Sequence, residues 1–132
     1  MDERKKKPIL AVDFDGVLHS YTSGWQGADV VGDPPVPEAI KFLREAVKHF
    51  TVCISSSRSR EPDGIVAMRE WLGRWALEQR ESDDEDLAWL SEIEWPVFKP
   101  AAFLTIDDRA WRFLGWFPEP ADLLDFKPWN RP

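Results

Sequence analysis

Two aspartates separated by one residue open the segment Asp13-Phe14-Asp15-Gly16-Val17. On an extended chain, side chains two apart point the same way. One carboxylate of such a pair can attack as a nucleophile while the other handles protons, provided their surroundings separate their pKa values. Gly16 permits a sharp exit that keeps both acids at the tip of a strand. A strand followed by an acidic turn, or a calcium loop, would use similar letters. Calcium is the poorer fit, because apolar Phe14 and Val17 interrupt the alternation of oxygen ligands it needs. Ser56 follows a second apolar run, Lys99 comes later, and Asp107 with Asp108 ends a third run. A nucleophilic carboxylate, a hydroxyl, a lysine and an acidic pair supply attack, phosphate orientation, charge neutralisation and magnesium binding. That set suits phosphoryl transfer.

In order and spacing, DFDGV, the run ending SSSR, and KPAAFLTIDD resemble the four motifs of the haloacid dehalogenase superfamily of phosphatases. The resemblance covers residues 9–114. It implies that Asp13 takes the phosphoryl group as an aspartyl-phosphate, and that Asp15 protonates the leaving oxygen and then activates water. Ser56 would hydrogen-bond a phosphate oxygen, with Lys99 neutralising the phosphate and the attacking carboxylate. Asp13, the backbone carbonyl of Asp15 and Asp107 would surround Mg²⁺, with Asp108 supporting that shell; an all-oxygen site suits so small and hard a cation. The intervals 17–55 and 57–98 leave no space for a folded cap, so the resemblance is to capless members. Some of those admit large phosphorylated substrates through an open site, and others close it with a neighbouring subunit and act on small phosphate esters. A domain that keeps the fold but only binds a phosphorylated ligand or protein partner is the alternative. It would have no chemical need to retain Asp13, Asp15, Lys99 and Asp107 together.

The neighbours of these motifs have two readings each. Ser55-Ser56-Ser57 offers more than one frame for the second-motif hydroxyl, and Ser56-Ser57-Arg58 best fits the Ser/Thr-Gly-Arg pattern frequent in that family. Ser57 and Arg58 then join the candidate substrate contacts. Arg58 either grips phosphate as a planar fork or is an exposed surface arginine. Lys127 lies after the acidic pair and is a poor rival to Lys99. Arg109 is most simply a structural ion-pair partner, His19 a flap-anchoring hydrogen bonder and His49 a helix-end cation. In the glycine-bracketed stretch 19–27, Trp25 is either a lid over bound substrate or a plug that seats the flap on the core.

PILAVDFD, FTVCISS and AAFLTID read as short buried strands, and WPVF as a fourth candidate. Residues 16–35, rich in Gly and Pro, form a loop or flap. A helix is expected from Pro37, with Glu38 in its first turn and Ile40, Leu43 and Val47 on one face. A second begins near Pro62 or Asp63 with Ile65, Met68, Leu72 and Trp75 aligned. Strand–helix alternation predicts an α/β fold, a parallel sheet with helices on its faces; the resemblance makes it a three-layer Rossmann-like domain without a cap. Ligands in such folds gather outside the carboxyl ends of the strands, where Asp13/Asp15, Ser55/Ser56 and Asp107/Asp108 fall. Residues 1–7 read as a charged head, 8–117 as the catalytic domain and 118–132 as a proline-rich tail whose Trp129 can pack back.

The 132 residues suffice for one domain. With 43% hydrophobic and 31% charged residues the chain is of globular type, and its eight Trp and eight Phe are expected to supply much of the core. Acidic residues outnumber basic ones 24 to 17, a net charge of −7 that disfavours nucleic acid as partner. Within the acidic run 81–86, the patch at 83–86 would repel a polyanion only if it lay near the site. The single cysteine, Cys53, precludes an internal disulfide and reads as a buried inert thiol. No secretion signal or membrane-spanning run is seen, so a cytoplasmic address is expected.

Overall fold

The computed structural model describes residues 6–130. Three parallel strands, β1 (Ile9–Val12), β2 (Thr51–Ile54) and β3 (Leu104–Ile106), form a sheet in the order β2-β1-β3. Val12 pairs with Ile54 on one side and Ile106 on the other, so the three strands end side by side. The chain is an α/β protein with two α-helices, α1 (Ala39–Ala46) and α2 (Pro62–Glu78), and short 3₁₀ turns at Ser57–Arg60, Ala88–Glu92 and Pro120–Asp125.

Leu10 and Val12 of β1 and Val52 and Ile54 of β2 share one core with Ile40 and Leu43 of α1 and Met68 and Leu72 of α2. Strand residues two apart face the same way, so both helices cover one face of the sheet. Ala11 and Cys53, on alternate positions, are buried outside that core. The expected second helical layer would have to lie between Glu94 and β3. No α-helix occupies that interval among the described residues.

The helices depart from expectation in two places. Pro37 does not begin α1: the Ala39 N–H donates to the Val36 carbonyl, and Glu38 takes a left-handed conformation at φ 73°. Proline second and a positive φ third make this a type II turn, so Glu38 precedes the helix instead of lying in its first turn. On α2, Met68 and Leu72 are buried as expected, but Trp71 and Ala76 join them while Ile65 and Trp75 are only partly covered. The Trp71 indole also donates to the Asp33 carbonyl at 2.8 Å, tying α2 to the flap.

WPVF does not form a strand. A single parallel bridge, Cys53 to Glu94, forms just before it on the free edge of β2. Pro96, without an N–H, cannot extend that ladder. The expected aromatic core is also corrected. Phe14, Trp71 and Trp89 are buried, but Phe98, Phe103, Phe113, Phe117, Trp111 and Trp116 are exposed, and aliphatic side chains supply most of the core.

Residues 1–5 of the charged head lie outside the described residues; Lys7 is not free, for its ammonium donates to the Val47 carbonyl at 2.7 Å. In the acidic run, Glu85 and Glu81 reach Arg44 of α1 at 2.8 and 3.4 Å. That run follows the far end of α2, about 25 Å along the helix from the strand tips at 1.5 Å per residue. The tail returns as expected, the Trp129 indole donating to the Gly16 carbonyl at 2.7 Å. No helix among the described residues is long and apolar enough to cross a membrane.

Candidate active site

The carboxyl ends of the three strands deliver the chemistry to one place. Asp13 follows β1, Ser55 follows β2 and Asp107 follows β3, and the strand ladder extends to them: the Asp13 N–H donates to Ile106 O at 2.9 Å and the Ser55 N–H to Val12 O at 3.0 Å. A cleft of about 310 Å³ opens there, lined by Asp13, Ser55, Ser56, Ser57, Arg60, Val97, Lys99 and Asp107. Five of the expected residues thus share one cavity although Asp13 and Asp107 are far apart in the chain.

Asp13, Asp107 and Asp108 bring one carboxylate oxygen each within 4.8 Å of one another. Burial pushes the Asp13 carboxyl up to about 8; a hydrogen bond from the Phe14 N–H offsets part of this, and Asp107 and Asp108 add to it. A cation among the three carboxylates would favour the charged form of Asp13. Two further features fit a small divalent ion. Asp108 Oδ1 is buried with no hydrogen-bond partner. Gly16, at φ 84°, makes room for the same carboxylate, for a Cβ there would collide with Asp108 Oδ2.

Asp15 goes elsewhere. Its Oδ1 accepts from His19 Nδ1 at 2.9 Å and its Oδ2 accepts from Arg58 Nε at 2.9 Å, so its side chain does not join the acidic triad or line the cleft. The Asp33 N–H donates to His19 Nε2 at 3.0 Å, so that nitrogen carries no proton and Nδ1 supplies the one facing Asp15. Burial acts to raise the Asp15 pKa, but the bonds from His19 and Arg58 and the arginine's charge outweigh it, and the net direction is down. His19 is therefore the flap anchor expected of it.

Arg58 is neither of the two things expected. It is 0% exposed. Beyond Asp15, its Nη1 donates to the carbonyls of Gly27, Ala28 and Val30 at 2.9, 3.0 and 3.0 Å. Those bonds hold the flap down; Nη2 is buried without a partner, and a guanidinium so fully covered presents no fork to a ligand in the cleft. Gly64 at the start of α2 makes this placement possible, since a Cβ there would collide with the Arg58 carbonyl. Trp25 lies over the guanidinium at 4.9 Å, is 54% exposed and does not line the cleft, so it covers Arg58 and is neither buried in the core nor placed over the candidate site.

The serine run resolves in part. Ser56 caps the turn that follows, its Oγ accepting from the Arg58 N–H at 3.1 Å, which leaves its own O–H free to donate into the cleft. Arg109 meets Asp107 through its backbone N–H at 2.8 Å. Cys53 is a buried free thiol whose pKa burial raises, with Glu94 adding to the rise. Arg60 is the cleft residue that sequence reading passed over. Its spacing from Arg58 was the available signal, because on a tight turn only one of the two could bury. Comparison with protein-family models, curated proteins and solved structures found no match for this chain.

Proposed function

We propose that this chain is a Mg²⁺-dependent phosphomonoester hydrolase working through an aspartyl-phosphate, on a Rossmann-like fold of the capless haloacid dehalogenase type. The observation that carries this reading is the position of Asp13. It stands at the tip of the central strand, in an acidic triad, inside a cleft that also presents a serine run and Lys99. Bound magnesium would neutralise the triad and polarise the phosphoryl oxygens. Asp13 attacks phosphorus and the alcohol leaves, giving an acyl phosphate that water then cleaves to regenerate the carboxylate and release inorganic phosphate. Ser56 and Lys99 orient and neutralise the transferred group.

Asp15 fits one half of this cycle better than the other. Held ionised by His19 and Arg58, it is in the charge state that accepts a proton from water, whereas protonating a leaving alcohol requires it to bind one first. Either step needs its side chain to turn from these partners toward the cleft. The same engagement favours the second reading, a domain that binds phosphate without turning it over. Hydrolysis of p-nitrophenyl phosphate with and without Mg²⁺ separates the two. Turnover that needs the metal and nearly vanishes in Asp13→Asn, together with a phosphate adduct on Asp13 in acid-quenched protein, is expected. Phosphate binding without turnover, or near wild-type turnover in Asp13→Asn, overturns the hydrolase.

A further inference from the structure

Two arginines stand two residues apart on the Ser57–Arg60 turn, and their fates are opposite. Arg58 is spent on Asp15 and the flap. Arg60 is exposed, lines the cleft beside Lys99, and has no ion-pair partner among the described residues. Its guanidinium lies 5.7 Å from the ring centroid of Phe98, which is itself 69% exposed. Stacking engages the face of a guanidinium and leaves its in-plane N–H donors available. The cation–π contact with Phe98 thus draws the group to the cleft without itself being a hydrogen bond. Phe98 immediately precedes Lys99, so the ring that supports Arg60 and the cation assigned to the transferred phosphate are neighbours on one segment. The cleft lining sets two cations, Arg60 and Lys99, against two acids, Asp13 and Asp107, in a chain whose net charge is −7.

We propose that Arg60, seated on Phe98, forms a second anion subsite that selects small phosphomonoesters carrying a further phosphate over those that carry one. This rests on the hydrolase reading for its chemistry, since Lys99 and the acidic triad are reserved for the phosphate being transferred. Arg60 then takes the one that stays. A charge-assisted guanidinium–phosphate contact at a partly open site corresponds to about 10- to 100-fold in affinity.

The test compares fructose 6-phosphate with fructose 1,6-bisphosphate on the full chain with Mg²⁺. The wild type is expected to show a KM at least about 10-fold lower for the bisphosphate. In Arg60→Ala that ratio falls to near one, Arg60→Lys restores part of it, and Phe98→Ala gives an intermediate value. A wild type that does not discriminate, or an Arg60→Ala protein that still does, overturns the subsite. Calorimetric binding of the same two sugars to Asp13→Asn with Mg²⁺ keeps this separate from catalysis. Preference for the bisphosphate that depends on Arg60, in a wild type without turnover, sinks the hydrolase and leaves the subsite standing. Turnover without preference does the reverse.

Discussion

Removal of Arg58 tests how the flap and the proposed acid–base group are joined. In Arg58→Met the stem keeps its bulk while the guanidinium goes. Asp15, with a side chain only 15% exposed, then retains His19 as a partner but loses its cation. Breaking a buried pair from one side costs about 3–5 kcal/mol, because the remaining charge stays buried. The carbonyls of Gly27, Ala28 and Val30 also lose their donor. They sit on a surface flap where water can replace it, so they add little to that figure. At about 3–5 °C per kcal/mol for a chain of this size, the thermal midpoint should fall by roughly 10–20 °C. Arg58→Lys keeps the charge but offers no fork that reaches Asp15 and three carbonyls at once, so it should recover only part of the loss. Denaturant unfolding gives the free energy, and amide exchange at 27–30 reports whether the flap has come loose. A loss below about 1 kcal/mol in Arg58→Met, the range of an exposed pair, would refute the buried-pair reasoning.

The metal-free acidic site carries a pH signature. Asp13, pushed up to about 8, holds a proton in the folded chain that the unfolded chain has already lost. That contribution is complete below the ordinary carboxylate range and disappears as pH rises through about 8. Mg²⁺ competes with that proton, so its thermal shift should grow between pH 6 and 8.5 and shrink in Asp107→Ala; a flat profile counts against Asp13 as a ligand. Gly16→Ala should both strain a positive-φ position and displace Asp108, costing about 1–3 kcal/mol and abolishing the Mg²⁺ shift. A preserved shift would move the metal away from Asp108. Trp25→Ala removes a half-exposed ring stacked on Arg58 and should cost about 0.5–2 kcal/mol, read by denaturant unfolding, with faster exchange at 27–30. Asp15→Asn should slow alkyl phosphates far more than aryl ones; equal losses would deny it the proton to the leaving group.

Much of the site was legible because strand ends are legible. Apolar runs of four to seven residues closed by Asp13, Ser55 and Asp107 mark the tips of buried strands, and parallel pairing brings such tips together whatever separates them in sequence. Arg58 shows where that logic stops. Its burial depends on Asp15, 43 positions away, and on three flap carbonyls, and no local pattern says which of two nearby arginines turns inward. The flap aromatics share this difficulty: periodicity reports which side of a helix is apolar, and residues 19–27 have no period. The missing second helical layer was readable in part. Between Glu94 and Leu104 there are nine residues with prolines at 96 and 100, too short and too broken for a covering helix.

The loop after Asp13 is fixed from both sides, and this bears on what Asp15 can do. On one side His19 and Arg58 occupy both carboxylate oxygens of Asp15. On the other, Trp129 holds the Gly16 carbonyl at 2.7 Å and Asn130 holds the Ser20 carbonyl at 3.2 Å, contacts made across 113 and 110 residues. A carboxylate with two strong donors is stabilised in its charged form, so lending it to a proton means first weakening one of them. His19 is bound to Asp33 and packed against Trp71, whereas Arg58 lies between Phe14 and Trp25 and donates three of its bonds to the flap. The arginine is the partner that can let go. Lifting the flap would withdraw three carbonyls and an aromatic lid from the guanidinium together, and Asp15 would then be free to turn toward the cleft. In the proposed cycle the flap therefore governs both proton transfers assigned to Asp15, since with the flap down its two oxygens stay on His19 and Arg58 and away from the cleft.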